Sequence, residues 1–203
     1  MTGRSDVELM LALRAGEEGA FAELVDRHRD AVVNLSYRYL GNRSDAEDLA
    51  QEVFLKVYRA RARYKPTAKF TTWLYRVAVN ACLNEVRNRR HRPTHVAASL
   101  GPAAEDDAVA PVADHNAASP LDEAERSELR EQVRAALSEL PERQRLAILL
   151  NKFHGLGYEE MAESLGLSVP AVKSLLVRAR ENVKRQIEPY LRAGQKPERR
   201  GTA

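Results

Sequence analysis

The segment YEEMAESLGLSVPAVKSLLVRAR, residues 158–180, contains two helical patterns separated by a glycine. Met161 and Leu165 lie on one face of the first helix, and Gly166 can adopt the positive backbone angle that ends it. Ser168 can cap the longer second helix, along which apolar residues recur at spacings of three and four. They are Val172, Leu175, Leu176, Ala179, Val183 and Ile187. The segment therefore predicts a helix-turn-helix.

The outward face of the second helix is polar and basic. A helix-turn-helix places the start of this helix in the major groove, where small or polar side chains reach base edges and cations contact phosphates. Candidates for base edges are Ala171, Lys173 and Ser174, and candidates for phosphates are Arg178, Arg180, Lys184 and Arg185. A helical hairpin with a solvated basic face is the alternative.

Residues 93–120 divide the chain. They contain no Lys, Arg or aromatic residue, carry four acidic residues and show no helical or alternating period. Basic character is concentrated on either side of them, which suits a protein that contacts a polyanion twice. No strand pattern appears, so we predict an all-α protein of two small helical domains joined by a flexible acidic linker. The predicted boundaries are 1–92 for the first domain, 93–120 for the linker, 121–192 for the second domain and 193–203 for a basic disordered tail.

Start and stop signals predict four helices before the linker. Asp6 caps the first, which ends near Gly16, and the second runs from about Glu17 to a turn at Gly41-Asn42. Ser44 and Glu47 form a capping box for a third helix over about 45–62, and a fourth spans about 70–90. After the linker, Ser119-Pro120 and Asp122 start a helix of about 121–139, and Pro141 opens one that ends at His154-Gly155.

One face of the predicted 70–90 helix combines an aromatic ring, amides and cations at helical spacing. Its members are Trp73, Arg76, Asn80, Asn84 and Arg87. Proteins that bind unstacked single strands combine a basic surface with aromatic platforms. The alternative is that the aromatic residues are core, and we expect Phe70 and Tyr75 to be buried.

The predicted 45–62 helix has the opposite charge. Acidic residues at its start are favoured by the helix dipole, which accounts for part of the pattern. The excess of acids, together with neighbouring apolar and amide side chains, predicts a protein-binding surface. The residues concerned are Asp45, Glu47, Asp48, Leu49, Gln51, Glu52 and Phe54.

Several classes of protein are disfavoured. No apolar run reaches the roughly 18 residues of a membrane span and the N-terminus is unlike a signal peptide, so we expect a cytoplasmic protein that does not insert into the membrane.

Cys82 is the single cysteine, expected to be a buried apolar residue. His91 and His95 have a metal-like spacing but straddle the linker boundary, and no phosphate loop or nucleophile motif is present. We therefore predict no metal, no cofactor and no catalysis. The remaining alternative is a stand-alone regulator that binds duplex DNA. This alternative gives no role to the acidic face of the 45–62 helix or to the aromatic and amide face of the 70–90 helix.

Four segments in order give a family resemblance: DAEDLAQEVFLKVY at 45–58, FTTWLYRVAVN at 70–80, LPERQR at 140–145, and the helix-turn-helix at 158–180. Together they resemble the extracytoplasmic-function (ECF) sigma factors, and the match covers most of the chain except the linker and the tail. Pro170, near the start of the recognition helix, departs from the family pattern but falls in the first turn, where its missing N–H is tolerated.

This resemblance implies a partner for each surface. Core RNA polymerase would bind the 45–58 helix through Asp45, Asp48, Leu49, Gln51, Glu52 and Phe54. Asn80 and its neighbours would capture a flipped base of the −10 promoter element, and Ala171, Val172, Lys173, Ser174, Arg178 and Arg180 would contact the −35 element. The linker would thread towards the active-site and RNA-exit channel of the polymerase, and an anti-sigma protein is expected as a regulator.

Overall fold

The computed structural model describes residues 3–91 and 120–194, and these residues form eight α-helices and no strand. The predicted all-α class is confirmed. The first four helices are α1 (Asp6–Arg14), α2 (Gly19–Leu40), α3 (Arg43–Ala60) and α4 (Phe70–His91), with a 3₁₀ turn at Arg61–Arg63 after α3. The second four are α5 (Pro120–Ser138), α6 (Glu142–Phe153), α7 (Tyr158–Leu165) and α8 (Val169–Gly194).

The N-terminal bundle consists of α1 to α4. Helix α2 packs against α1, α3 and α4, and α3 also packs against α4. Leu24, Leu35, Val53 and Leu74 are buried between these helices. Removal of such side chains from water is the main stabilising contribution to a bundle of this kind.

Two of the predicted helix caps were wrong by one or two residues. Ser5, rather than Asp6, caps α1 in a reciprocal capping box with Glu8. The Asp6 carboxylate instead forms an ion pair with Arg27 at 2.9 Å. Asn42, rather than Ser44, caps α3 by accepting a hydrogen bond from the Asp45 N–H at 3.1 Å. In both places two polar residues within two positions of each other could serve as the cap.

The C-terminal bundle contains the predicted helix-turn-helix. Helix α6 packs against α7 and α8, and α5 packs along α8. Gly166 ends α7 with φ +64°, the left-handed conformation that the sequence predicts. The Ser168 hydroxyl accepts a hydrogen bond from the Ala171 N–H at 3.4 Å at the start of α8. Pro170 is the second residue of this helix, as expected.

Several sequence predictions lie outside the described residues. They are the linker up to Ser119, the side-chain cap of α5 and the tail beyond Gly194. Helix α8 continues to Gly194, two residues past the predicted end of the second domain, with Pro189 inside it.

The two bundles pack against each other. Helix α7 lies against α4, and α6 lies against α2. The buried apolar residues of both bundles form one continuous cluster. This contact has no counterpart in the sequence predictions, and it brings the helix-turn-helix onto the helix that carries the aromatic and amide face.

Candidate nucleic-acid interface

The predicted face of α4 is open to solvent along most of its length. Arg76, Asn80, Asn84 and Arg87 are all exposed. Arg87 Nη2 donates a 3.0 Å hydrogen bond to Asn84 Oδ1, so the last two members are in direct contact. The arrangement provides exposed amide groups and positive charge on one side of a helix, which can contact base edges and phosphates.

The aromatic residues at the start of α4 form a cluster. Trp73 is half-buried, with its ring centroid 5.1 Å from that of Tyr64 and 5.8 Å from that of Phe70. Phe70 is buried, as expected. Tyr75 is half-buried beneath α6, where its hydroxyl and His154 Nδ1 form a 2.9 Å hydrogen bond. The Trp73 indole therefore supplies only part of its surface to the exposed face.

Five of the six residues predicted to contact the −35 element are exposed on α8. They are Ala171, Lys173, Ser174, Arg178 and Arg180. Val172 is the exception, because its side chain is 0% exposed and packs inside the bundle. The Val172 side chain therefore does not lie on the exposed face with the other five, as the apolar period of α8 indicates.

Two of the exposed cationic side chains on α8 contact side chains of neighbouring helices. The Lys173 ammonium lies 5.3 Å from the centre of the Tyr158 ring, at the start of α7. Arg180 Nη2 donates a 3.3 Å hydrogen bond to Asn151 Oδ1 on α6. These contacts limit the conformations of both side chains before any ligand is bound.

Some of the residues predicted to bind a protein partner are exposed on the acidic helix α3. Asp48, Gln51 and Glu52 are exposed. Asp45 is half-buried and its carboxylate lies 2.7 Å from Arg89 Nη2. Leu49 and Phe54 are mostly buried in the bundle core, 4% and 6% exposed.

A groove of about 330 Å³ lies between α2 and α3, and the sequence predictions missed it. Its lining is mainly apolar and consists of Phe21, Val25, Arg29, Val33, Glu47, Ala50, Gln51, Phe54 and Leu55. Leu55 is 51% exposed at this groove. The sequence does indicate this apolar position. Leu55 lies four residues after Gln51, which places an apolar side chain on the otherwise polar face of α3.

Cys82 is buried in the N-terminal bundle, as predicted. Burial raises the pKa of its thiol to about 12. The thiolate is the reactive form of cysteine, so this side chain is chemically inert at neutral pH. In the described part of the chain, no helix is long and apolar enough to span a membrane.

Comparison with known proteins identifies both bundles. Family models described as Sigma-70 region 2 and Sigma-70, region 4 match residues 24–92 and 130–183. The RNA polymerase sigma-H factor of Pseudomonas aeruginosa is 33% identical over 95% of this chain and 98% of its own length. The ECF RNA polymerase sigma-E factor of Escherichia coli K12 is 33% identical over 93% of this chain and 97% of its own length. The ECF sigma factor SigW of Bacillus subtilis is 32% identical, with 86% and 92% covered.

Solved structures agree with this assignment. CnrH, in complex with the cytosolic domain of CnrY, superposes with a TM-score of 0.66 at 25% identity, over 92% of this chain and 99% of that chain. The sigma factor RpoE from Bartonella quintana, in complex with the anti-sigma factor NepR, shares the fold with a TM-score of 0.59 at 22% identity, over 83% and 96% of the two chains. The chain belongs to the ECF subfamily of the sigma-70 family, whose members are transcription initiation factors rather than enzymes.

Proposed function

We propose that this chain binds bacterial core RNA polymerase in the cytoplasm, directs it to promoters with −35 and −10 elements, and promotes opening of the DNA. One observation carries the proposal: polar and basic faces stand exposed on two helices, α4 and α8, one in each bundle. A protein that reads two separate DNA elements requires one such face for each.

The −10 element is assigned to α4. Asn80 offers an amide for the edge of an unstacked base, and Arg76 and Arg87 offer charge for phosphates. Unstacking costs a few kcal/mol per base, and stacking on aromatic side chains returns about 1–3 kcal/mol per base. Capture of one or two bases by Trp73 and Asn80 is therefore enough to bias an opening bubble, and the chain needs no covalent chemistry.

The −35 element is assigned to the start of α8. Ala171, Lys173 and Ser174 are exposed where a recognition helix enters the major groove. Arg178 and Arg180 lie further along the helix and are assigned to phosphates. Val172 contributes by anchoring α8 to the rest of the bundle, because its side chain is buried.

Core polymerase is assigned to α3 and the adjoining groove. Asp48, Gln51 and Glu52 supply a polar, acidic surface. The groove between α2 and α3, with Leu55 exposed beside it, supplies the apolar component that a stable protein interface contains. The acidic character favours a partner surface that is basic.

We also propose an anti-sigma protein as a regulator of this chain. The proposal is supported by the similarity to CnrH, which was solved with the cytosolic domain of CnrY.

The test compares the affinity for duplex DNA with and without core polymerase. Fragmented genomic duplex is titrated with the free chain and with the chain bound to bacterial core enzyme, at fixed salt because charge contacts depend on ionic strength. We expect binding to core enzyme, and sequence-selective DNA binding only in that complex. Selective binding by the free chain without any affinity for core enzyme would instead establish a stand-alone regulator.

A further inference from the structure

Asn151, near the C-terminal end of α6, has a side chain whose orientation is fixed by the backbone. Its Nδ2 donates a 3.2 Å hydrogen bond to the Leu156 carbonyl oxygen in the turn between α6 and α7. That turn is itself held in place, because the Leu156 N–H donates a 3.1 Å hydrogen bond to the Leu150 carbonyl oxygen and the Leu156 side chain is buried. A carbonyl oxygen accepts only from the nitrogen of an amide, so the Asn151 Oδ1 must face the other way.

The Asn151 Oδ1 faces the exposed side of α8. It accepts a 3.3 Å hydrogen bond from Arg180 Nη2. Asn151 is half-buried, whereas Arg180 is exposed. An oriented acceptor on α6 therefore holds a solvent-exposed cation that belongs to the proposed −35 surface.

Arg180 keeps its positive charge in this contact. The acceptor is a neutral amide oxygen, and an arginine guanidinium stays protonated in proteins. Arg192 on the same helix differs, because its guanidinium lies 2.6 Å from the Glu188 carboxylate, which neutralises it. The N–H groups of Arg180 that Asn151 does not use are able to bind a phosphate, for which the guanidinium geometry is well suited.

A second hydrogen bond between α6 and α8 involves no charged group. Asn182 Nδ2 on α8 donates a 2.8 Å hydrogen bond to Gln144 Oε1 on α6, and both residues are half-buried. Gln144 lies seven residues before Asn151, which places the two on the same side of α6. This contact links the same two helices without reaching a cation, so it provides a matched control for the role of Asn151.

We propose that Asn151 is a positioning residue for DNA binding, which holds the Arg180 guanidinium where it contacts a phosphate of duplex DNA. A long side chain loses rotamer freedom when it binds, and a contact made before binding removes part of that cost. Asn151 itself does not touch the DNA. The inference rests on the proposed assignment of α8 to the −35 element and adds a residue outside α8 to that site.

The test is a double-mutant cycle on the full chain. Asn151→Ala, Arg180→Ala and the double variant are titrated against a fluorescent mixed-sequence DNA duplex of about 30 base pairs, at several potassium chloride concentrations between about 25 and 150 mM. Anisotropy gives each affinity and its dependence on salt. Urea denaturation verifies that every variant is folded, and Asn151→Ser, which keeps a small polar side chain, is a second variant at this position.

We expect Asn151→Ala and Asn151→Ser to bind about threefold more weakly, with an unchanged salt dependence, because the charge of Arg180 remains. Arg180→Ala should bind about fivefold more weakly, and the slope of log affinity against log salt should fall by about one. The double variant should bind no more weakly than Arg180→Ala, since Asn151 acts through Arg180. Gln144→Ala removes the neutral contact with Asn182 and should bind normally.

Three results would each overturn the inference. Multiplied losses of about fifteenfold in the double variant would show that Asn151 acts independently of Arg180. Equal losses in Gln144→Ala and Asn151→Ala would make the Asn151 contact purely structural. An unchanged affinity of Arg180→Ala would remove the phosphate contact. Failure of the proposed function is recognised separately, by absence of binding between the wild-type chain and core polymerase, which this titration does not contain.

Discussion

Asn80 stands exposed on α4, one turn beyond Arg76 and one turn before Asn84. Because the amide is assigned to a base that has left the stack, Asn80→Ala should reduce the rate of promoter opening about tenfold or more. Binding to core polymerase should be unchanged, since α3 provides that surface. Stopped-flow fluorescence of a labelled promoter measures opening, and Asn88→Ala, also at an exposed position on α4, is the control. Normal opening by Asn80→Ala would remove this residue from the site.

His154 makes the packing of the two bundles against each other, here called the closed arrangement, sensitive to pH. Burial, and then the Arg38 guanidinium, lower the pKa of His154 to about 4. The neutral ring is hydrogen-bonded to Tyr75 in the closed state. Closure therefore has its full stability above the ordinary His pKa of about 6.5 and loses stability as pH falls from there towards about 4.

The expected result is an increase of up to about tenfold in the open-to-closed ratio between pH 7.5 and pH 5.5, from a pKa difference of about 2.5 between the two states. Energy transfer between two fluorophores attached at Ser44→Cys on α3 and Gln186→Cys on α8, both exposed positions, measures this ratio. His154→Gln keeps an acceptor for the Tyr75 hydroxyl but does not titrate, so the pH response should disappear. An equal response in both proteins would exclude His154 as its source.

Helix α3 depends on an exposed leucine for its proposed partner contact. Leu55→Asp places a charge beside the groove between α2 and α3 and should weaken binding to core polymerase about tenfold. Ala22→Asp adds the same charge at an exposed position of α2 that does not line the groove, and should bind normally. Fluorescence anisotropy of the labelled chain titrated with core enzyme measures both affinities. Equal affinities for the two variants would exclude the groove from the interface.

The turn between α7 and α8 depends on the backbone of Gly166, which has φ +64° with open space where a Cβ would lie. Gly166→Ala should therefore lower the free energy of unfolding by about 1–2 kcal/mol through backbone strain alone. Gly19→Ala, at the first residue of α2 and also with open space, avoids that strain and should be neutral or stabilising. Urea denaturation measures both, and an unchanged midpoint for Gly166→Ala would contradict the strain argument.

The helices could be predicted from the sequence because the cap residues, terminal glycines and apolar periods that define them lie close together along the chain. Gly166 and the apolar period of α8 predict the helix-turn-helix directly, whereas Ser5 and Asp6 are both good cap residues, so residue type alone does not choose between them. The same period places Val172 on the inward face, whereas the family resemblance assigns this residue to the −35 element. The Ser164 hydroxyl on α7 donates a hydrogen bond to the Thr72 carbonyl oxygen on α4. The sequence does not predict this contact, because two small polar residues 92 positions apart form no pattern along the chain.

At the scale of the whole molecule, the closed arrangement conflicts with simultaneous reading of two promoter elements. The axes of two helices that pack together lie about 8–10 Å apart. Because α7 packs against both α4 and α8, the axes of α4 and α8 lie within about 20 Å of each other. Elements centred near −35 and −10 are separated by about 25 base pairs, or about 85 Å of straight duplex at 3.4 Å per base pair. Binding of both elements by α4 and α8 would therefore require the two bundles to separate.

The central claim is that this chain directs core polymerase to specific promoters. Fragmented genomic DNA is transcribed by bacterial core polymerase with and without the chain, and the 5′ ends of the RNA are sequenced. We predict new start sites that depend on the chain and share two upstream motifs, one near −10 and one near −35. Start sites that are the same with and without the chain, together with absence of binding to core polymerase, would contradict the claim.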